Sequence, residues 1–188
     1  MTTTAVVILI VVILLVAAAV LFFLRQERSK RLRSRFGPEY DHAVREFGNQ
    51  YRAEDALLKR QKRIEKIPIR SLSAEERDKF ANRWQDVQTR FVDDPAASIR
   101  DADALVNEAM LARGYPMTEF ESRAEDLSVD YPHVISNYRA AHAIALRRDR
   151  GEATTEDLRQ ALVHYRELFD ELLEVHTVSP TEPRRLKL

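Results

Sequence analysis

The chain has 188 residues, of which 30 are basic and 30 acidic, so its formal net charge is zero. This length is enough for one compact domain with appendages. The chain contains no cysteine, which excludes disulfide scaffolds, thiolate zinc sites, iron–sulfur clusters and a thiol nucleophile.

The charges are unevenly placed along the chain. Residues 1–24 carry no charged side chain, residues 25–35 carry six basic side chains against one acidic, and residues 36–188 carry 24 basic against 29 acidic. A protein that binds nucleic acid needs a basic face to meet the phosphates. The mildly acidic composition of residues 36–188 therefore predicts no nucleic-acid partner.

The N-terminal sequence predicts a transmembrane helix. After a short segment of residues 1–4, residues 5–24 contain no polar side chain, and 16 of them are Val, Ile, Leu or Phe. Twenty helical residues span about 30 Å, the thickness of a bilayer's hydrocarbon core. A cleaved signal peptide starts with positive charge and ends in small residues before a polar sequence. Here the alanines at 17–19 precede more apolar residues, which favours an uncleaved single-pass signal anchor.

Residues 25–36 form a basic juxtamembrane collar. Because no Lys or Arg precedes the anchor, the positive-inside rule predicts an outside N-terminus and a cytoplasmic C-terminal domain at the plasma membrane. Basic side chains beside a bilayer also contact anionic lipid. We expect the anchor helix to continue through this collar to Phe36. The residues predicted to contact the membrane are Arg25, Arg28, Lys30, Arg31, Arg33 and Arg35.

Residues 37–176 are predicted to form one helical domain. The Gly37–Pro38 pair ends the anchor helix and starts the next one, which we expect to end before Pro68. Five further helices follow from capping residues and apolar spacing. Their predicted start or stop signals are Ser73 with Glu76, Asp94 with Pro95, Gly114, Thr118 with Glu121, residues 130–132, Gly151, and Thr154 or Thr155.

The predicted fold class is all-α, with one transmembrane helix followed by a compact bundle of about five to six helices. The helix that contains Ala141 and His142 is apolar on most sides, so we expect it at the centre of the bundle. The sole tryptophan, Trp84, has the spacing of a core residue. Residues 177–188 show no periodicity and are predicted to be a disordered tail.

Histidines and glutamates could mark a carboxylate-bridged di-iron bundle, which needs two Glu-x-x-His motifs and two further glutamates. Glu39 and His42 supply one motif, and Asp130 with His133 only resembles the second. We therefore predict no metal and no cofactor, and interpret His142 as a core histidine. The four glycines lie too far apart for a phosphate-binding loop, and no Gly-x-Ser-x-Gly motif occurs. The sequence thus predicts no enzyme.

Several segments are similar to a family of bacterial single-pass membrane-anchored helical proteins with no assigned activity. The likeness covers most of residues 36–173 and the preceding anchor, and it implies a bacterial source but no site residues. Members are labelled hypothetical, membrane or secreted proteins, and the label "secreted" conflicts with the orientation that the charges predict. The segments that carry the resemblance are residues 91–95 (FVDDP), 113–116 (RGYP), 126–132 (DLSVDYP) and 155–166 (TEDLRQALVHYR).

Three functions remain open at this point. The first is a membrane-tethered helical protein-interaction module, an adaptor or scaffold with the bilayer and an unidentified protein as partners. The alternative is a bundle at the membrane surface that binds a small molecule or metal, as a binding protein or as an enzyme, through His142, Tyr138 and neighbouring acids. A third is a cell-envelope structural component with its domain outside. A polar pocket near His142 would favour the second, and a filled core with exposed apolar side chains the first.

Overall fold

The structure is a computed structural model that describes the backbone of residues 3–174 and the side chains of residues 9–174. Within that range the chain is all-helical and contains no strand. The predicted tail at 177–188 lies outside the described residues. The eight helices are α1 (Thr3–Phe36), α2 (Pro38–Phe47), α3 (Gln50–Ile64), α4 (Ala74–Arg90), α5 (Pro95–Arg113), α6 (Phe120–Asp130), α7 (Ile135–Asp149) and α8 (Thr155–Leu172).

Helix α1 is 34 residues long, which corresponds to about 51 Å at 1.5 Å per residue. Its N-terminal part is long and apolar enough to cross a membrane, and it is the one such helix among residues 3–174. The large apolar side chains from Leu9 to Leu24 are exposed, as a lipid-facing surface requires. The prediction that the anchor helix continues to Phe36 is confirmed.

The chain forms two compact units, Met1–Leu58 and Lys59–Leu188. In the first unit, the collar end of α1 packs against α2. Gly37 reverses the chain between them, and Pro38 occupies the first turn of α2, where its missing N–H costs no hydrogen bond. The apolar contacts of this unit come from one stripe of α1 and from the facing helices. Its buried apolar residues are Leu32, Phe36, Tyr40, Ala43, Ala53 and Leu57.

The sequence predicts a single helix from Pro38 to just before Pro68, but the structure contains two helices there. Seven helices therefore follow the anchor within residues 3–174, and the prediction of five to six helices is wrong. Gly48 ends α2 with a φ of 62°, a left-handed conformation that glycine adopts without steric cost. Asn49 then starts α3, because its side-chain oxygen accepts a 2.8 Å hydrogen bond from the backbone N–H of Tyr51. The Gly48–Asn49 pair ends one helix and starts the next. The apolar spacing on either side of the pair fits one continuous helix, so it does not predict this break.

The second unit contains helices α4 to α8 around a single hydrophobic core. Helix α8 packs against both α5 and α7, α4 packs on α5, and α6 packs on α7. The indole of Trp84 stacks on Phe169 with ring centroids 4.6 Å apart. The predicted core position of Trp84 is therefore confirmed, with 4% of the residue exposed.

Most predicted helix ends are correct in this unit. Ser73 and Glu76 form the expected capping box, and Thr154 forms another with Asp157. Asp94 caps α5 through a 2.9 Å bond from the backbone N–H of Ala97. The capping box predicted at Thr118 and Glu121 is wrong, because α6 begins at Phe120 and makes no side-chain cap.

The helix that contains Ala141, α7, packs against α5, α6 and α8, but only one of its faces is buried. Helix α7 buries Ile135, Tyr138, Ala141, Ile144 and Ala145 on one face, whereas Ala143 and Leu146 on the other face are exposed. Alanine and leucine make a helix apolar in composition, but single apolar side chains are common on protein surfaces. Helices α5 and α7 each pack against three other helices of this unit, and α8 packs against both of them.

Candidate functional site

The Glu54 carboxylate joins the three helices of the first unit. Its Oε1 atom accepts hydrogen bonds from the Ser29 hydroxyl on α1 at 2.6 Å and from the Tyr40 hydroxyl on α2 at 2.8 Å. Gln50, one turn earlier on α3, donates from Nε2 at 3.0 Å. The Glu54 residue is 6% exposed. A buried carboxylate is costly unless it is hydrogen-bonded, and these three donors meet that requirement.

The ionised form of Glu54 is favoured in this setting. Burial by itself raises the pKa of a carboxyl group, but the hydrogen bonds from Ser29, Gln50 and Tyr40 lower the pKa of Glu54 below its ordinary value. Burial raises the pKa of the Tyr40 hydroxyl, and the adjacent Glu54 charge raises it further. The pair is therefore a carboxylate and a neutral phenol at physiological pH.

An open groove of about 510 Å³ lies beside this carboxylate. Arg28 extends along it, with its Nε atom 3.9 Å from Glu54 Oε2. The same Nε atom is buried and makes no hydrogen bond. The groove thus combines two arginines, one carboxylate and several neutral polar groups. Its lining consists of Arg25, Arg28, Ser29, Asn49, Gln50, Tyr51 and Glu54.

The structure brings only two of the six predicted membrane-contact residues, Arg25 and Arg28, into this groove. Two others form ion pairs on exposed surface, Lys30 with Glu27 at 3.4 Å and Arg33 with Asp41 at 3.5 Å. The Arg33 guanidinium also lies over the Tyr40 ring, 5.0 Å from its centroid. Arg31 and Arg35 are exposed.

The groove residues that precede or belong to α3 were not predicted from the sequence, namely Asn49, Gln50, Tyr51 and Glu54. The Gly48–Asn49 pair was the available signal, because a helix break there returns the chain toward α1. Ser29 carried no signal of its own, since a serine within a basic helix is an ordinary surface residue. Its role depends on a partner 25 residues away.

The second unit contains a polar cluster in its core, near the residues named for the alternative function. The hydroxyls of Tyr138 and Tyr165, both on fully buried residues, lie beside the Arg123 guanidinium and the Asp103 carboxylate respectively, without a hydrogen bond of regular geometry. Burial raises the pKa of Tyr138 to about 12 and raises that of Tyr165 as well, with the Asp103 charge adding to both. The Arg123 guanidinium opposes this effect at Tyr138.

The candidate metal ligands have other roles or surroundings. The His142 ring stacks on Phe120 at a centroid distance of 3.6 Å, and burial lowers its pKa. His133 lies 3.0 Å from the Glu171 carboxylate on exposed surface. In the first unit Glu39 is buried and His42 half-buried. Among residues 3–174 no three histidine, aspartate or glutamate side chains are grouped so as to hold a metal ion.

A second groove, of about 310 Å³, lies between α4 and α5. Ion pairs between Arg83 and Glu108 and between Arg90 and Asp101 line it. The Arg83 hydrogen bonds lower the pKa of Glu108. Arg83 and Arg90 are therefore each paired with a carboxylate within the groove.

No protein-family model, curated protein or solved structure matches the chain. The resemblance to bacterial membrane-anchored proteins stays a prediction.

Proposed function

We propose that the chain is a single-pass membrane protein whose helical part is a non-enzymatic interaction module on the cytoplasmic side. The proposal rests mainly on the continuity of α1, which runs without a break from its apolar segment into the folded first unit. Leu32 is 4% exposed and Phe36 is fully buried, so the end of the anchor helix is part of that unit's core. A flexible linker would instead separate the tether from the fold.

The second unit offers contact positions for a protein partner. Several large apolar side chains are exposed there, including Val92 at 84% and Leu111 at 61%, and these are the positions to test for contact. Its core is filled by aliphatic and aromatic residues, among them the Trp84–Phe169 stack. A filled core favours an interaction module over a ligand-binding bundle.

Topology is tested by reporter fusions at the C-terminus in a bacterial host, together with carbonate extraction of the membranes. We expect the chain to stay in the membrane and only a cytoplasmic reporter to be active. A control in which Thr3 and Thr4 become Lys, and Arg31 and Arg35 become Gln, should shift reporter activity outward. Strong outside activity of the unaltered chain would refute the orientation and favour an envelope component.

The partner is tested by photo-crosslinking in cells from single positions in the full chain. A crosslinker at Val92 or Leu111 should give a discrete protein adduct, whereas one at buried Leu105 should give none. Deleting residues 1–24 should abolish the adduct, and replacing residues 5–24 with an unrelated apolar helix should retain it. Absence of any protein adduct at the exposed positions would refute the interaction module.

A second candidate function is supported by the buried hydroxyls of Tyr138 and Tyr165, which have polar neighbours in Arg123 and Asp103 but no hydrogen bond of regular geometry. A small polar ligand that completes these hydrogen bonds would stabilise the fold. In a thermal-shift screen with a metabolite collection, such a ligand should raise the melting temperature of the full chain. The rise should be lost in Tyr138→Phe and Tyr165→Phe. Stoichiometric metal with a chelator-induced drop in melting temperature would instead show a metalloprotein.

A further inference from the structure

The chain reversal at Gly37 places the α2–α3 turn at the height where the apolar segment ends. Phe36 lies twelve residues beyond Leu24, which is about 18 Å along α1. Helix α2 contains 10 residues and returns about 15 Å beside it. The shared groove agrees with this estimate, because Arg25 and Arg28 of α1 line it together with Asn49 and Tyr51 of the turn.

This height corresponds to the headgroup layer of a bilayer. The headgroup regions add roughly 5–8 Å on each side of the hydrocarbon core. Arg25 directly follows the apolar segment, and Arg28 lies one helical turn further. Tyr51 is 68% exposed and Phe47, at the last position of α2, is 36% exposed. Exposed aromatic side chains at this depth are typical of membrane interfaces, most of all tyrosine and tryptophan.

The groove is also suited in charge to a phosphate group. Two arginines face one carboxylate, and the carboxylate's Oε1 atom is engaged by Ser29, Tyr40 and Gln50. The Arg28 side chain is 40% exposed and lines the groove, so its guanidinium group is accessible from there. A guanidinium group binds phosphate oxygens with parallel hydrogen bonds, which makes arginine the preferred partner for this geometry.

From these observations we infer that the groove holds the phosphodiester of a phospholipid headgroup, bound by Arg25 and Arg28, with Tyr51 and Phe47 entering the same headgroup layer. This inference rests on the proposed membrane anchoring. The bound headgroup fixes the α2–α3 turn against the bilayer surface, so the first unit is held to the membrane at two places. An anionic glycerophospholipid is favoured over a zwitterionic one, because the groove carries a net positive charge.

Binding is tested with the purified full-length chain in detergent by native mass spectrometry, with phosphatidylglycerol or phosphatidylcholine added. We expect one phosphatidylglycerol to bind preferentially. Arg25→Gln with Arg28→Gln should weaken this binding roughly 25-fold, if each basic side chain contributes about a fivefold factor. The matched control, Arg31→Gln with Arg35→Gln, removes the same charge from the same helix and should change binding less than about threefold.

Because Arg28 also lies beside Glu54, two further variants separate binding from folding. Arg25→Gln alone should weaken lipid binding about fivefold with an unchanged circular dichroism spectrum. Arg28→Lys keeps the charge but loses the parallel hydrogen bonds of the guanidinium group, so its lipid binding should lie between that of Arg28→Gln and that of the unaltered chain. Equal losses in the two double variants would show general charge attraction and overturn the site. Displacement of the lipid by inorganic phosphate at the same concentration would assign the groove to a free anion instead.

The depth of the turn is tested with spin labels, since the chain has no native cysteine. In vesicles with 30% phosphatidylglycerol, a label at Tyr51→Cys should report the headgroup layer. A label at Ser34→Cys, which is exposed on α1, should report bulk water. An aqueous signal at both positions would overturn the inference. Carbonate extraction of the same samples separates this failure from a failure of anchoring, because an anchored chain stays in the vesicles in either case.

Discussion

The Ser29 hydroxyl donates a 2.6 Å hydrogen bond to the Glu54 carboxylate across 25 residues of chain. This contact joins the collar end of α1 to α3, and Tyr40 adds α2 to the same oxygen atom at 2.8 Å. One carboxylate thus connects the three helices of the first unit beside the end of the apolar segment. The basic collar is therefore part of a folded unit.

Glu54→Gln tests how much this network stabilises the first unit. The amide keeps the shape of the side chain but loses the charge that strengthens three hydrogen bonds, so we expect a loss of about 2 kcal/mol. Hydrogen exchange of the α2 and α3 amides in the full chain measures it. Glu27→Gln, which removes an exposed carboxylate from α1, should change protection by less than about 0.5 kcal/mol. Equal effects would show that the network contributes nothing specific.

The Glu54 network should also depend on pH. The pKa of Glu54 is lowered in the folded chain from 4.5, so its stabilising contribution is complete above that value and is lost as the pH falls through the lower pKa of the folded state. The difference in melting temperature between the unaltered chain and Glu54→Gln should therefore be constant from pH 5 to 7 and shrink in more acidic solution. A difference that grows in acid would contradict the assignment.

Ala141 and Ala143 provide a matched pair on α7. Ala141 is fully buried, whereas Ala143 is exposed. Ala141→Glu buries a charge without a partner and should cost about 3 kcal/mol or more. Ala143→Glu introduces the same side chain on the exposed face and should cost less than about 0.5 kcal/mol. Denaturant unfolding of the full chain compares them. Similar losses of unfolding free energy in the two variants would contradict the burial of Ala141 and the exposure of Ala143.

The Trp84–Phe169 stack reports on the core of the second unit. Phe169 is 1% exposed and lies against Trp84 with an interplanar angle of 19°. Phe169→Ala should destabilise this unit by about 3–5 kcal/mol and shift the emission of the sole tryptophan to longer wavelength. Val163→Ala on the same helix, 44% exposed, should leave emission unchanged and cost less than about 0.5 kcal/mol. Unchanged emission in Phe169→Ala would place Trp84 elsewhere.

The sequence by itself determined the features that depend on neighbouring residues. The apolar run, the helix continuing to Phe36 and the capping boxes at Ser73 and Thr154 were predicted correctly. Each arises from local causes, namely helix propensity and hydrogen bonds within one helical turn. The break at Gly48 was equally local, but the apolar spacing on either side of it had suggested one continuous helix.

Only the tertiary structure decided which surfaces meet. Ser29 and Glu54 are ordinary residues of charged helices until the reversal at Gly37 brings α1 and α3 together. The exposed face of α7 could not be predicted from the sequence for the same reason, because an apolar composition does not specify which sides of a helix pack against another helix. The groove at Arg25 and Arg28 likewise exists only because the α2–α3 turn packs beside the collar. Contacts between residues distant in the chain depend on packing, which no local pattern encodes.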